Sequence, residues 1–139
     1  MPFTLTRSVF NQGSLLYGYW IKGARDLVKL PVASGETITR GMLVGKNGSD
    51  EAVAATDASG YTFVGVAAAN AFRGFVYVWQ KGFFKFTATD IENLADGSQL
   101  YVATSTTVDN SSAESVKVGR LVKNLSSTKG WLELNVDEV

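Results

Sequence analysis

Phe75-Val76-Tyr77-Val78-Trp79-Gln80-Lys81-Gly82-Phe83-Phe84-Lys85-Phe86 is the stretch whose reading decides the fold class. Aromatic and β-branched residues at this density suit a pleated strand. Successive strand side chains point to opposite faces, so Phe75, Tyr77 and Trp79 project one way and Val76 and Val78 the other. Both faces are apolar, and both have to be covered. A simple sandwich buries only one face of each strand, which leaves two readings: another part of the chain covers the aromatic side, or that side meets a partner. Phe75, Tyr77 and Trp79 are candidate partner-binding residues on the second reading. Gly82 allows a turn or bulge before the next apolar run.

Outward from this stretch, short β-branched or aromatic runs recur at residues 27–33, 42–45, 52–55, 62–69, 75–80, 83–88, 100–103, 116–122 and 131–136. Glycine and polar clusters separate most of them, among them Ser34-Gly35, Ser59-Gly60, Asp96-Gly97 and residues 109–112 and 126–130. Asn47-Gly48 is the strongest hairpin signal, because both residues tolerate the positive φ of a tight turn. No window of a dozen residues keeps a helical apolar period without Gly, β-branched runs or turn residues intervening. The expected fold is all-β, a small sandwich or partly closed barrel of about eight or nine short strands with an extended N-terminal arm. One short helical turn is expected at residues 89–94, capped by Thr89 or Asp90 and ended by Asp96-Gly97.

Residues 1–26 read differently from the single β-domain expected over residues 27–139. They carry Phe3, Phe10, Tyr17, Tyr19, Trp20 and Ile21 among small and basic residues, without clean alternation. Such a segment is either an edge strand and loop packed on its own core, or an arm that reaches a neighbouring subunit. Tyr, Trp and Arg are the types enriched where binding energy concentrates. Phe3, Phe10, Tyr17, Tyr19, Trp20 and Arg25 are candidate contacts on the second reading.

Composition narrows the chemistry. The 139 residues contain no histidine and no cysteine. That removes imidazole bases, Cys or Ser nucleophiles paired with His, Cys/His zinc sites and thiol redox chemistry. Apolar residues make up 45% of the chain and charged residues 19%, a globular composition of a size that buries roughly 68–70% of its unfolded surface. Thirteen basic residues balance thirteen acidic ones, so no net field favours nucleic acid or a membrane surface. The charges are segregated: Lys117, Arg120, Lys123 and Lys129 form a basic stretch, while Asp90, Glu92, Asp96, Asp109 and Glu114 are the only charges between Phe86 and Val116. These are either solvated loops or complementary patches that meet between copies. The N-terminus lacks a basic region followed by an apolar run, so no secretory signal is expected, and no apolar window is long enough to predict a membrane-spanning helix.

No catalytic constellation follows from what remains. Asp90 and Glu92 are a close carboxylate pair, but the capped turn expected there holds them apart. Gly41-Met42-Leu43-Val44-Gly45-Lys46 lacks the spacing and following Ser/Thr of a phosphate-binding loop. Phe72-Arg73-Gly74-Phe75 interleaves aromatic and basic residues like a single-strand stacking platform, against which the balanced charge argues. Trp20, Trp79 and Trp131 can stack on pyranose faces, so a carbohydrate- or receptor-binding module stands as the alternative reading.

From about Leu27 to Val136 the chain resembles the phage proteins known as capsid cement or decoration proteins, long described only as a domain of unknown function. The resemblance rests on Leu30-Pro31-Val32 leading into Ser34-Gly35, then Gly41-Met42-Leu43-Val44, Phe63-Val64-Gly65-Val66-Ala67 and Gly82-Phe83-Phe84. It continues through Leu94-Ala95-Asp96-Gly97-Ser98-Gln99-Leu100-Tyr101-Val102, Val118-Gly119-Arg120-Leu121-Val122 and Trp131-Leu132-Glu133-Leu134. These are fold signatures and none is catalytic. The resemblance implies a non-enzymatic β-domain without cofactors, made in the host cytoplasm and carried on the exterior of the virion. Its implied partners are the major capsid protein and further copies of itself, with a trimer expected. The aromatic N-terminal arm is longer than the family pattern.

Overall fold

The structure, a computed structural model, describes residues 21–58, 60–88, 94–110, 116–126 and 128–134. Among them the chain is all-β, with nine strands in order: β1 (Ile21–Pro31), β2 (Leu43–Lys46), β3 (Ala52–Ala54), β4 (Thr62–Ala67), β5 (Phe75–Ala88), β6 (Gln99–Thr104), β7 (Thr107–Asp109), β8 (Lys117–Asn124) and β9 (Lys129–Leu134). The expected helical turn falls almost wholly at residues 89–93, outside the described residues, as do Asn135 and Val136 of the last expected strand.

Five strands close on themselves. The C-terminal half of β5 pairs with β7 in parallel, β7 with β6, β6 with β8 and β8 with β9 antiparallel, and β9 returns to β5. Such a ring leaves no open edge. The N-terminal half of β5 lies between β1 and β4, and β4 continues the sheet to β2 and β3. β5 is thus shared by a closed barrel and an open sheet.

Residues 75–80 and 83–88 form one 14-residue strand rather than the two expected. The ladder to β1 runs from Phe75 to Phe84 and carries the chain through Gly82. Gly82 takes φ +137°, and a Cβ there would sit 2.8 Å from the Ala24 Cα. The irregularity that compensates lies on β1, between Lys22 and Arg25. Sequence reading also missed β7, whose Thr-Val-Asp carries one buried residue, Val108, and so has little apolar pattern. The Asn47-Gly48 hairpin is present as the β2–β3 connection, but its positive φ falls at Asp50 instead. The Asn47 side-chain carbonyl accepts from the Ser49 and Glu51 amides, and this local capture builds a longer loop than a two-residue turn.

Two cores result. The larger fills the barrel with Phe84, Phe86, Leu100, Val102, Val108, Val118, Leu121 and Leu132, joined by Leu43, Phe63 and Val66 from the open sheet. The smaller packs Ile38, Val44, Val64, Ala67, Val76 and Val78. β4 separates them and is buried at five consecutive positions, Phe63–Ala67. A strand covered on both faces has to be continuously apolar. Gly65 lets β4 lie close to β5, since a Cβ there would run into the Trp79 carbonyl oxygen, and Gly119 stands in the same relation to the Glu133 carbonyl.

Tyr61 closes the loop before β4. Its phenol donates to the Thr56 carbonyl and accepts from the Thr56 amide while its ring packs on the larger core. Burial pushes its pKa above 10.0, a rise that the Thr56 bond opposes and the Asp57 carboxylate reinforces. A raised folded pKa favours the protonated form, so this contribution is whole below the ordinary tyrosine range and is lost as pH climbs through the folded value.

Two outcomes are expected. Gly65→Ala destabilises by about 3 kcal/mol in urea titration, whereas Gly48→Ala, with nothing near its Cβ, stays within about 0.5 kcal/mol. Tyr61→Phe costs about 1–2 kcal/mol at neutral pH, and it flattens the decline in melting temperature that the native chain shows above about pH 10; an unchanged alkaline decline contradicts the assignment.

Candidate docking face

The β1–β5 ladder sets the register of one face: Leu27 opposes Trp79, Lys29 opposes Tyr77 and Pro31 opposes Phe75. Side chains one position along go the other way. Val28, Leu30 and Val32 pack on the smaller core with Val76 and Val78. The alternation expected of 75–79 is therefore realised, with valines inward and aromatics outward.

Coverage of the aromatic side changes along β5. Trp79 is half-buried and packs on the larger core. Tyr77 is 46% exposed and Phe75 42% exposed, beside Leu27 at 41%. Within the described residues, then, the fold covers the aromatic face at Trp79 and leaves it open from Tyr77 outward.

A hairpin tip extends this face. Phe72 and Phe75 exchange both backbone hydrogen bonds, at 2.8 and 3.1 Å, around Arg73 and Gly74. Both central residues have positive φ, +53° and +83°, the geometry whose twist matches a hairpin. Glycine adopts it freely, whereas an arginine there is strained and stays only where its surroundings hold it. Phe72, 71% exposed, stands at this tip.

The charges touching these rings are cationic. Lys29 Nζ lies 4.5 Å from the Phe75 ring centre, and the Arg73 guanidinium carbon lies 5.1 Å from that of Phe72. Each is within cation–π reach, worth roughly 0.5–1 kcal/mol at an exposed site. An apolar strip with cations against its rings suits a partner surface with an apolar centre and acidic margins.

Of the residues expected to bind a partner, Phe75 and Tyr77 meet here, and Trp79 forms the wall behind them. Arg25 pairs with Lys81 further along β1. Phe3, Phe10, Tyr17, Tyr19 and Trp20 lie outside the described residues. The strand β1 starts at Ile21, so the last six residues of the expected arm, 21–26, belong to the ladder. Leu27 and Phe72 were missed as site residues. The signal for Phe72 was the adjacent Arg73-Gly74, a pair able to turn and leave an aromatic at the apex.

No protein-family model matches the chain, and no curated protein matches it.

Replacing Phe72 and Tyr77 together by serine is expected to lower stability by no more than about 0.5 kcal/mol per site and to reduce binding of a hydrophobic dye. Val78→Ala, one residue away but fully buried, costs about 2 kcal/mol. Thermal melts of the two variants separate an exposed docking face from a packed one.

Proposed function

We propose that this protein is a virion structural protein that binds the outer surface of an assembled phage capsid and stabilises it. The observation that carries the reading is the exposed aromatic face of Phe72, Phe75 and Tyr77, on a strand whose inward residues Val76 and Val78 are packed in the smaller core. Soluble domains seldom leave aromatic side chains contiguous at the surface unless something docks there. The resemblance to decoration proteins supplies the kind of partner, a major capsid protein presented many times over on a shell, with further copies of the chain beside it as a homo-oligomer, expected as a trimer.

Stabilisation by such a ligand is thermodynamic. A protein that binds the assembled, expanded shell better than its free subunits shifts the equilibrium toward assembly by mass action, and each occupied site adds to the shift. Rigid strands present the rings with little side-chain entropy to lose. Neither step requires chemistry, a cofactor, nucleic acid or a membrane.

The test is cosedimentation of the purified chain with expanded empty shells. The native chain is expected to saturate the shells and raise their disassembly temperature, and the Phe72→Ser, Tyr77→Ser variant to bind at least tenfold more weakly, a difference of about 1.4 kcal/mol per site. Equal binding by the variant sinks the assignment of the face. Absence of binding by the native chain sinks the reading itself.

A further inference from the structure

The outer wall of the barrel carries a second constellation, on the other half of β5 and on β8 and β9. The inward positions of β9, β5 and β8 are Leu132, Phe84 and Leu121, all in the larger core, and their neighbours in each strand point outward. One outward row reads Lys123, Trp131, Lys85 across the three strands, Lys123 being brought into it by an irregularity of β8 between Leu121 and Lys123. The next reads Arg120, Glu133, Phe83, and the row on the other side pairs Lys129 with Thr87, whose hydroxyl oxygen accepts from Lys129 Nζ at 3.3 Å. Adjacent strands lie about 4.8 Å apart, so the two lysines flanking Trp131 have backbones about 10 Å apart.

The details point to a class of ligand. Trp131 and Phe83 are both half-buried on this wall, diagonal to one another, and Lys85 Nζ lies 5.6 Å from the Trp131 ring centre. Beside them a cavity of about 160 Å³ is lined by Lys81, Gly82, Phe83, Glu133 and Leu134. Among the described residues, one cation, Lys81, and one carboxylate, Glu133, line this cavity, and Lys85 follows two residues after Phe83. A nucleic acid or an acidic polypeptide gains from the lysines but is repelled by Glu133. A sugar unit uses both, because its hydroxyls donate to a carboxylate while its apolar ring face rests on an aromatic side chain. Surplus cations on the rows to either side then favour sugars that carry their own carboxylates.

We propose that the β5–β9–β8 wall binds an acidic polysaccharide built of uronate units, with one unit at the cavity between Phe83 and Glu133 and the chain continuing along the rows of Lys85 and Lys123. Glu133 accepts from hydroxyls, Lys81 and Lys85 pair with uronate carboxylates, and Lys123, Lys129 and Arg120 hold the flanking units. The wall shares no side chain with the Phe72–Tyr77 face, and the inference does not rest on the capsid reading.

Affinity electrophoresis of the full chain through gels containing polygalacturonate, neutral dextran or polyglutamate tests it. Selective retardation by polygalacturonate is expected, weakened at least tenfold in a Lys85→Gln, Lys123→Gln variant with an unchanged melting temperature, and unchanged in Phe72→Ser, Tyr77→Ser. Glu133→Ala is the deciding variant. Removing that carboxylate strengthens binding to a wall that only attracts anions, and weakens binding to one that uses it for hydroxyls. Tighter or equal retardation of Glu133→Ala, equal retardation by polyglutamate, or none by polygalacturonate overturns the proposal.

Discussion

The structure depends on one continuous strand belonging to two sheets. β5 is hydrogen-bonded to β1 and β4 over its first half and to β9 and β7 over its second, so the ladder of the open sheet becomes the ladder of the barrel without a loop between them. That continuity needs a residue that can take φ +137° with another backbone pressed against it, and Gly82 meets both conditions. Val76 and Val78 face the smaller core before the glycine, while Phe84 and Phe86 face the larger one after it. One strand thereby sets the two cores relative to each other.

The same arrangement explains which surfaces are finished and which are open. Barrel closure leaves β6, β7, β8 and β9 paired on both sides. At the end of the open sheet, β3 is protected differently: the Ala52 carbonyl accepts from the Ala33 amide, and the Ala54 amide donates to the Glu36 carboxylate at 2.7 Å. A charged side chain on an edge amide blocks the pairing that a bare edge invites. No comparable cover lies over the rings of Phe72, Phe75 and Tyr77 among the described residues.

Two outer surfaces of different chemistry then sit on either side of Gly82. Toward the N-terminal half of β5 lies an apolar strip with cations against its rings; toward the C-terminal half lies a basic wall with a carboxylate-lined cavity. Their side chains alternate with core residues along the same strand. A change that shifts the register of β5 would therefore displace both surfaces together, while a surface substitution on one leaves the other in place.

Composition and alternation in the amino-acid sequence were enough to establish the all-β class, the strand positions over most of the chain, the placing of Phe75, Tyr77 and Trp79 on one face of a strand and Val76 and Val78 on the other, and the absence of histidine and cysteine. These properties are local: a period of two, a glycine or an absent residue type can be read from neighbours alone. Ring closure, the fusion of two apolar runs through Gly82, the pairing of β7, and the meeting of Lys85, Lys123 and Trp131 needed the tertiary structure. Each depends on partners far apart in the chain, and strand pairing carries no local signal of which strand lies alongside. Phe72 and Trp79 mark the boundary between the two. Both read as apolar side chains, and only the packing of β1 and β4 against β5 leaves one at an exposed tip and sets the other against the larger core.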